Sequence, residues 1–263
     1  MSVVRAHDLH ITLIQTSTVW HDARANREMF SRWLDQVPES SRLVLLPEMF
    51  NSGFSMAVSD AAEPMSGPTV QWLTEQAVQR NKYVCGSLAV DVQGCVFNRF
   101  ICASPDGAMM VYDKRHLFRM AGEHQHYVAG EQRVVMSVDG WRVCPMVCYD
   151  LRFPVWCRNR GDYDVLICVA NWPAARRQGW DVLLRARAIE NQVYVAAVNI
   201  VGVDGNGVSY SGGSAVYSPE GQRMTDQVES AGLLQHKISQ TQLKNLRDSF
   251  PVWQDADKFE LTR

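Results

Sequence analysis

The sequence has no run of about 20 uncharged apolar residues, the length a helix needs to cross a bilayer. It also lacks an apolar leader, because Arg5, His7, Asp8 and His10 interrupt the N-terminal segment. A soluble, cytoplasmic protein with no membrane partner is the expectation. Charge of one sign is missing too. With 26 Lys and Arg against 28 Asp and Glu, the formal net charge is -2, which gives no general pull toward nucleic acid or an anionic surface. The neighbours Arg176 and Arg177 do not amount to a nucleic-acid stripe. There is no CxxC pair, and the odd count of 7 cysteines fits reduced, mostly buried thiols better than a disulfide framework. Cys144 and Cys148 have no histidine pair beside them, and His124 and His126 on their loop have no third ligand, so no metal is expected. Linkers and low-complexity segments are absent as well, and one domain over residues 1–263 is the simplest organisation.

What is present is a series of apolar runs suited to strands: residues 10–15, 42–46, 83–89, 97–103, 109–112, 142–147, 165–170 and 193–200. Many are continuous rather than alternating, which predicts strands covered on both faces. Helical spacing falls between them. Residues 26–37 carry Met29, Phe30, Trp33, Leu34 and Val37 on one stripe. Residues 69–80 follow the entry turn Gly67-Pro68, and residues 181–191 read as a third helix. Alternating strands and helices predict an α/β protein.

Three strand ends carry groups capable of chemistry. Residues 42–54, RLVLLPEMFNSGF, end a buried run in Glu48; burial raises a carboxyl's pKa and makes it a usable base. Residues 111–131, VYDKRHLFRMAGEHQHYVAGE, place Lys114 after another run, where an ammonium can stabilise an oxyanion or lower the pKa of a thiol. Residues 141–156, WRVCPMVCYDLRFPVW, deliver Cys148 to a sharp polar transition, after which Arg152-Phe153-Pro154 begins a helix. A nucleophile at a strand-to-helix turn is exposed, with helix amides near it. Taken singly, each residue also fits a plainer role: a surface glutamate, a solvated lysine, one more core cysteine. Their conjunction at three strand ends is what points to nucleophilic catalysis.

These segments resemble the nitrilase superfamily of carbon–nitrogen hydrolases, which uses a Glu-Lys-Cys triad in this chain order. Residues 171–207 and the SGGSAVYSPEG stretch at 211–221 are similar to later regions of the same family, so the likeness covers nearly the whole chain. Within the superfamily, LPEMFNSGFSM, KRHLFRMAGEHQHY, CYDLRFPVW and ANWPA resemble the bacterial omega-amidases. Val155 stands where many relatives have a glutamate; no catalytic consequence is expected.

The resemblance implies a four-layer α-β-β-α sandwich, no cofactor, and a small-molecule amide substrate. It implies Cys148 as nucleophile, Glu48 as base, and Lys114 with the backbone N–H of Tyr149 as oxyanion donors. It also implies a second glutamate, Glu123, with Glu131 as the rival position. An α-keto acid amide such as 2-oxoglutaramate or 2-oxosuccinamate carries a carboxylate. Arg176 is the candidate cation for it, beside Asn171, with Phe118 and Trp172 as apolar walls. Arg152 is read as a structural partner for a carboxylate near the cysteine turn, and Arg187 with Glu190 as an internal pair on their helix. A homodimer is implied, with residues 249–263 as a C-terminal arm. Two alternatives stay open: another amide, carbamoyl or nitrile hydrolase with the same triad, and a non-catalytic binding protein on the same fold.

Overall fold

Residues 8–261 are described by a computed structural model. The first half of the chain runs β1 (Asp8–Gln15), α1 (Ala23–Leu34), β2 (Leu43–Leu45), the short α2 (Val58–Ala61), β3 (Glu63–Pro64), α3 (Pro68–Arg80), β4 (Tyr83–Val92), β5 (Cys95–Ala103) and β6 (Met109–Asp113). The second half runs β7 (Met136–Val138), β8 (Trp141–Val147), the short α4 (Pro154–Cys157), β9 (Val165–Ala170), α5 (Arg177–Asn191), β10 (Tyr194–Asn199), β11 (Val201–Val203), β12 (Ser209–Ser211), β13 (Ala215–Tyr217), β14 (Gly232–Ser239) and α6 (Gln240–Ser249).

Two mixed sheets result, ordered β14-β1-β2-β4-β5-β6 and β13-β10-β9-β8-β7, with β3 pairing to β4 and β11–β12 forming a separate hairpin. They pack face to face. Leu9, Ile11, Leu13, Leu43, Leu45, Cys85 and Phe100 of the first sheet share one core with Val143, Met146, Leu166 and Cys168 of the second. The opposite side chains of the first sheet, among them Ile14, Val44, Val84 and Ile101, pack with Phe30 and Leu34 of α1 and Val70 and Leu73 of α3. On the second sheet's outer side, Trp180, Leu184 and Ala188 of α5 close the core. The architecture is the four-layer α-β-β-α sandwich, and the double covering is why the strand runs are apolar throughout.

Register brings the strand ends together. β2 is parallel to β4, and β5 is antiparallel to both β4 and β6, so β6 runs in the direction of β2. In the second sheet Val147, Val169 and Val198 stand side by side on parallel strands. The residues just beyond, Cys148, Asn171 and Asn199, therefore emerge along one edge. Ligands of α/β sheets gather outside such carboxyl ends.

Several expectations are corrected. α1 starts at Ala23 rather than Asn26, because Asp22 caps it and accepts the Ala25 N–H at 2.9 Å. α5 starts at Arg177 rather than Asp181. The helix expected to begin at Arg152-Phe153-Pro154 is present as the short α4, Pro154–Cys157, preceded by a 3-10 turn over Cys148–Arg152. β7, β14 and α6 were not anticipated. The last two residues of the 249–263 segment lie outside the described residues; within it, Phe250 and Trp253 are exposed. Among the described residues, no helix is long and apolar enough to cross a membrane.

Candidate active site

Glu48, Lys114 and Glu123 meet in the interior. Lys114 Nζ lies 2.9 Å from Glu48 Oε1 and 3.0 and 2.9 Å from Glu123 Oε1 and Oε2. All three side chains are fully enclosed. A buried charge is tolerated only when paired and hydrogen-bonded, and each partner here is. Asn171 donates its backbone N–H to Glu48 Oε2 at 2.8 Å and its side-chain amide to the Glu48 carbonyl at 2.8 Å. The Phe118 N–H bonds Glu123 Oε2 at 2.5 Å. The loop from Lys114 to Glu123 and onward closes where Gly130 donates to the Lys114 carbonyl at 2.9 Å. Only glycine fits there, since a Cβ would meet the Asp113 carbonyl oxygen at 2.1 Å.

With two carboxylates for one ammonium, the cluster is rich in negative charge. Burial disfavours the Lys114 charge, but Glu123 and Glu48 outweigh it and hold its pKa well above the ordinary lysine value. Burial raises Glu123, with Glu48 adding to the rise and Lys114 opposing it. Burial also pushes the Cys148 thiol well up; Glu48 adds to this and Lys114 only partly offsets it. The Lys114 charge does lower the thiol, as its place in the sequence suggests, but burial and Glu48 outweigh it. A thiol pushed up in this way needs a base to take its proton before it can act as a nucleophile, and Glu48 is among the groups that act on it.

Cys148 sits at the elbow between β8 and its 3-10 turn with φ 47°, a left-handed conformation costly for a side-chain-bearing residue. Asp150 braces it. The buried carboxylate accepts the Val147 N–H at 3.1 Å, the Tyr112 hydroxyl at 2.8 Å and the His116 N–H at 2.9 Å. It thus ties the strand that delivers Cys148 to Tyr112 and His116, two residues to either side of Lys114. His116 stacks on Phe153 with centroids 3.7 Å apart. The Arg187–Glu190 pair is present at 2.9 Å, and Arg187 also donates to the Leu151 carbonyl at 2.7 Å, fastening α5 to the cysteine turn. The Tyr149 N–H lies among the turn's first residues, whose N–H groups have no intrahelical acceptor.

Cys148 and Lys114 open into a cavity of about 570 Å³. Phe118, Tyr149, Asn171, Trp172 and Arg176, each singled out in the sequence, line it. Glu48 and Glu123 are buried with Lys114, whereas Glu131 is exposed. His124 and His126 are exposed on the turn that points Glu123 inward. Arg152 is the residue placed wrongly. Rather than pairing with a carboxylate, it lies 4.8 Å over the Trp172 ring and lines the cavity. Arg176 lies 5.4 Å over Phe118. Among the described residues neither arginine has a carboxylate partner within 4.0 Å, so both guanidinium charges face the cavity unpaired.

The far wall was not foreseen. It comprises Trp20, His21, Phe54 and, from the β11–β12 hairpin, Asp204, Asn206 and Tyr210. Gly205 of that hairpin abuts Trp20, where a Cβ would fall 2.4 Å from the indole. Asn98 and Ser87, which contact the buried cluster, were missed as well. The available signal was a polar residue inside each of the apolar runs YVCGSLAV and CVFNRFICA.

Comparison with known proteins agrees with this geometry. A family model described as carbon-nitrogen hydrolase matches residues 10–248. Omega-amidase YafV of Escherichia coli (strain K12) is 48% identical over 254 residues, spanning 96% of this chain and 98% of that protein. The 2-oxoglutaramate amidase of Bacillus subtilis (strain 168) is 31% identical over 231 residues, 86% of this chain and 89% of that one. A solved CN-hydrolase superfamily protein from Xanthomonas campestris, with an arsenic adduct in its active site, is 48% identical. It superimposes with a TM-score of 0.95 over 97% of this chain and 100% of its own.

Proposed function

The chain belongs to the carbon–nitrogen hydrolase family, and from that premise we propose that it is an omega-amidase. It hydrolyses the terminal amide of short α-keto acid amides, 2-oxoglutaramate and 2-oxosuccinamate, to the dicarboxylate and ammonia. Its relatives include proteins named for that activity. The observation that carries the reading is a buried thiol beside a glutamate–lysine pair, at a cavity lined by two arginines that have no carboxylate partner among the described residues.

In this mechanism Glu48 removes the Cys148 proton as sulfur attacks the amide carbon. Lys114 and the Tyr149 N–H receive the developing oxyanion; losing one such donor costs roughly 3 kcal/mol of barrier. The proton passes from Glu48 to the leaving nitrogen, ammonia departs and a thioester remains on Cys148. Glu48 then takes a proton from water, hydroxide adds to the thioester carbon, and the returning proton releases the thiol and the acid. Glu123 holds Lys114 in place throughout. Arg176, assisted by Arg152, receives the substrate carboxylate, with Phe118 and Trp172 flanking its carbon chain.

Ammonia release from 2-oxoglutaramate, glutamine, asparagine, simple aliphatic amides and nitriles, compared at equal concentration, tests the substrate class. Preference for the keto acid amide is expected; preference for simple amides would remove the omega-amidase assignment and leave the nucleophile standing. The same reading places two copies together through residues 249–263, where Phe250 and Trp253 are exposed. Sedimentation of the chain with and without those residues should show a dimer only when they are present.

A further inference from the structure

The buried cluster of Glu48, Lys114 and Glu123 touches a fourth residue, whose side chain carries no charge. Asn98, fully buried in the middle of β5, uses both hydrogens of its amide. Nδ2 donates to Glu48 Oε1 at 2.8 Å and to Glu123 Oε1 at 3.1 Å. Its backbone carbonyl accepts the Lys114 N–H at 3.0 Å. Its side-chain oxygen accepts the Ser87 hydroxyl at 2.8 Å, and the Ser87 oxygen in turn accepts the Met49 N–H at 3.0 Å. A backbone N–H can only donate, so the Ser87 oxygen accepts from Met49 and its own hydrogen is available to the Asn98 oxygen, an arrangement in which Asn98 presents its NH2 to the two carboxylates. Met49, where the chain begins, adjoins Glu48 and is itself held at φ 44°.

We propose that Asn98, oriented by Ser87, is a positioning residue that keeps Glu48 and Glu123 as proton acceptors and fixes Glu48 toward Cys148. The inference rests on Glu48 being the base. Two carboxylates at one ammonium invite one of them to take a proton from solvent and neutralise the excess charge. A proton on the Glu48 oxygen that faces Asn98 would meet an N–H donor instead of a lone pair, and the same holds at Glu123. The amide thus excludes protons from the two oxygens it touches, without adding a second cation that would quench the base. The other groups facing this cluster are Lys114 and Cys148, with Tyr127, Tyr210 and Cys168 further out. Burial keeps both tyrosines neutral by raising them. Lys114 is then the sole cation of the group, and Asn98 the neutral donor that both carboxylates share.

The test compares Asn98→Leu, Ser87→Ala, Ser87→Thr and Glu48→Gln by pH profiles of kcat and KM on 2-oxoglutaramate. Asn98→Leu should lower kcat by about 10- to 100-fold and move the acid limb of kcat/KM upward by roughly one pH unit, with KM within about twofold. Ser87→Ala frees the amide to rotate and should give a smaller shift in the same direction. Ser87→Thr, which keeps the hydroxyl, should restore the wild-type limb. A wild-type acid limb in both Asn98→Leu and Ser87→Ala, with only thermal stability lowered, overturns the proposal. If Asn98→Leu does not fold, Ser87→Ala against Ser87→Thr decides alone, and equal profiles for those two count against it. Glu48→Gln separates the two layers. An active Glu48→Gln removes the mechanism itself, whereas an inactive one beside an unperturbed Asn98→Leu removes only the role of Asn98.

Discussion

Two charged clusters sit at opposite ends of the second sheet's strands, and they are built in opposite proportion. At the carboxyl ends, Lys114 serves two carboxylates in full burial. At the other end Asp164 serves two cations, with Arg142 Nη2 at 2.6 Å and Arg247 Nη1 at 2.7 Å. Burial works to raise the Asp164 carboxyl, but Arg142 and Arg247 outweigh it and hold it below the ordinary aspartate value. Glu123, short of cations, is raised instead. A surplus of cations locks a carboxylate in its ionised form, which serves stability; a shortage leaves proton affinity, which serves chemistry.

Five substitutions test this contrast. Cys148→Ala or Glu48→Gln should cut ammonia release by at least about a thousandfold while circular dichroism stays native, because nucleophile and base act as one unit. Activity near wild type in either would end the assignment of roles.

Lys114→Met should abolish useful turnover and also destabilise the fold by about 3 kcal/mol at neutral pH, since two buried carboxylates lose their only cation. Its pH dependence has a defined sign. Glu123, already raised, rises further, so the folded form binds more protons than the unfolded one. Stability of the variant should therefore fall as pH rises through that raised value, which urea titration at several pH values will show.

Arg176→Leu should raise KM for a keto acid amide by about 10- to 100-fold and leave that for a neutral amide unchanged, the signature of a lost charge-assisted contact. Equal effects on both substrates would mean that this unpaired arginine differs little from the paired Arg142 and Arg247.

Asp164→Asn should leave kcat alone and remove about 1–2 kcal/mol of stability, a value discounted because Arg142 is half exposed. Since the folded pKa is depressed, the contribution is complete above the unfolded value. It disappears as pH falls through the folded one, and the variant's acid denaturation should lose that component.

The strand ends were legible because continuous apolar runs stop abruptly at Glu48, Lys114 and Cys148, a pattern that doubly covered strands impose. β14 escaped notice for the opposite reason. As an outer strand with alternating exposure, GLLQHKIS, it has no such run. The cysteine turn could be located but not typed, because a 3-10 turn and a helix N-terminus share the same first residues. Glu123 followed from family likeness alone, as loop geometry decides whether it or Glu131 turns inward. Asn98 was hidden for a further reason: the carboxylates it serves, Glu48 and Glu123, lie 50 and 25 residues away in sequence, and Ser87 takes its role from Asn98. Arg152 was misjudged because its position after an acidic turn suggested an ion pair, whereas Asp150 is already occupied by Val147, Tyr112 and His116.

The contact between Gly205 and Trp20 sets an aperture. The β11–β12 hairpin and the loop after β1 meet with no spare room in the cavity wall, and neither residue touches Cys148, Glu48 or Lys114 through any bond described above. Gauge and chemistry are therefore separable in this protein. Side-chain volume at residue 20 can widen the mouth for longer acyl chains while the reacting atoms keep their places, so substrate range can drift through selection without the hydrolytic apparatus being rebuilt.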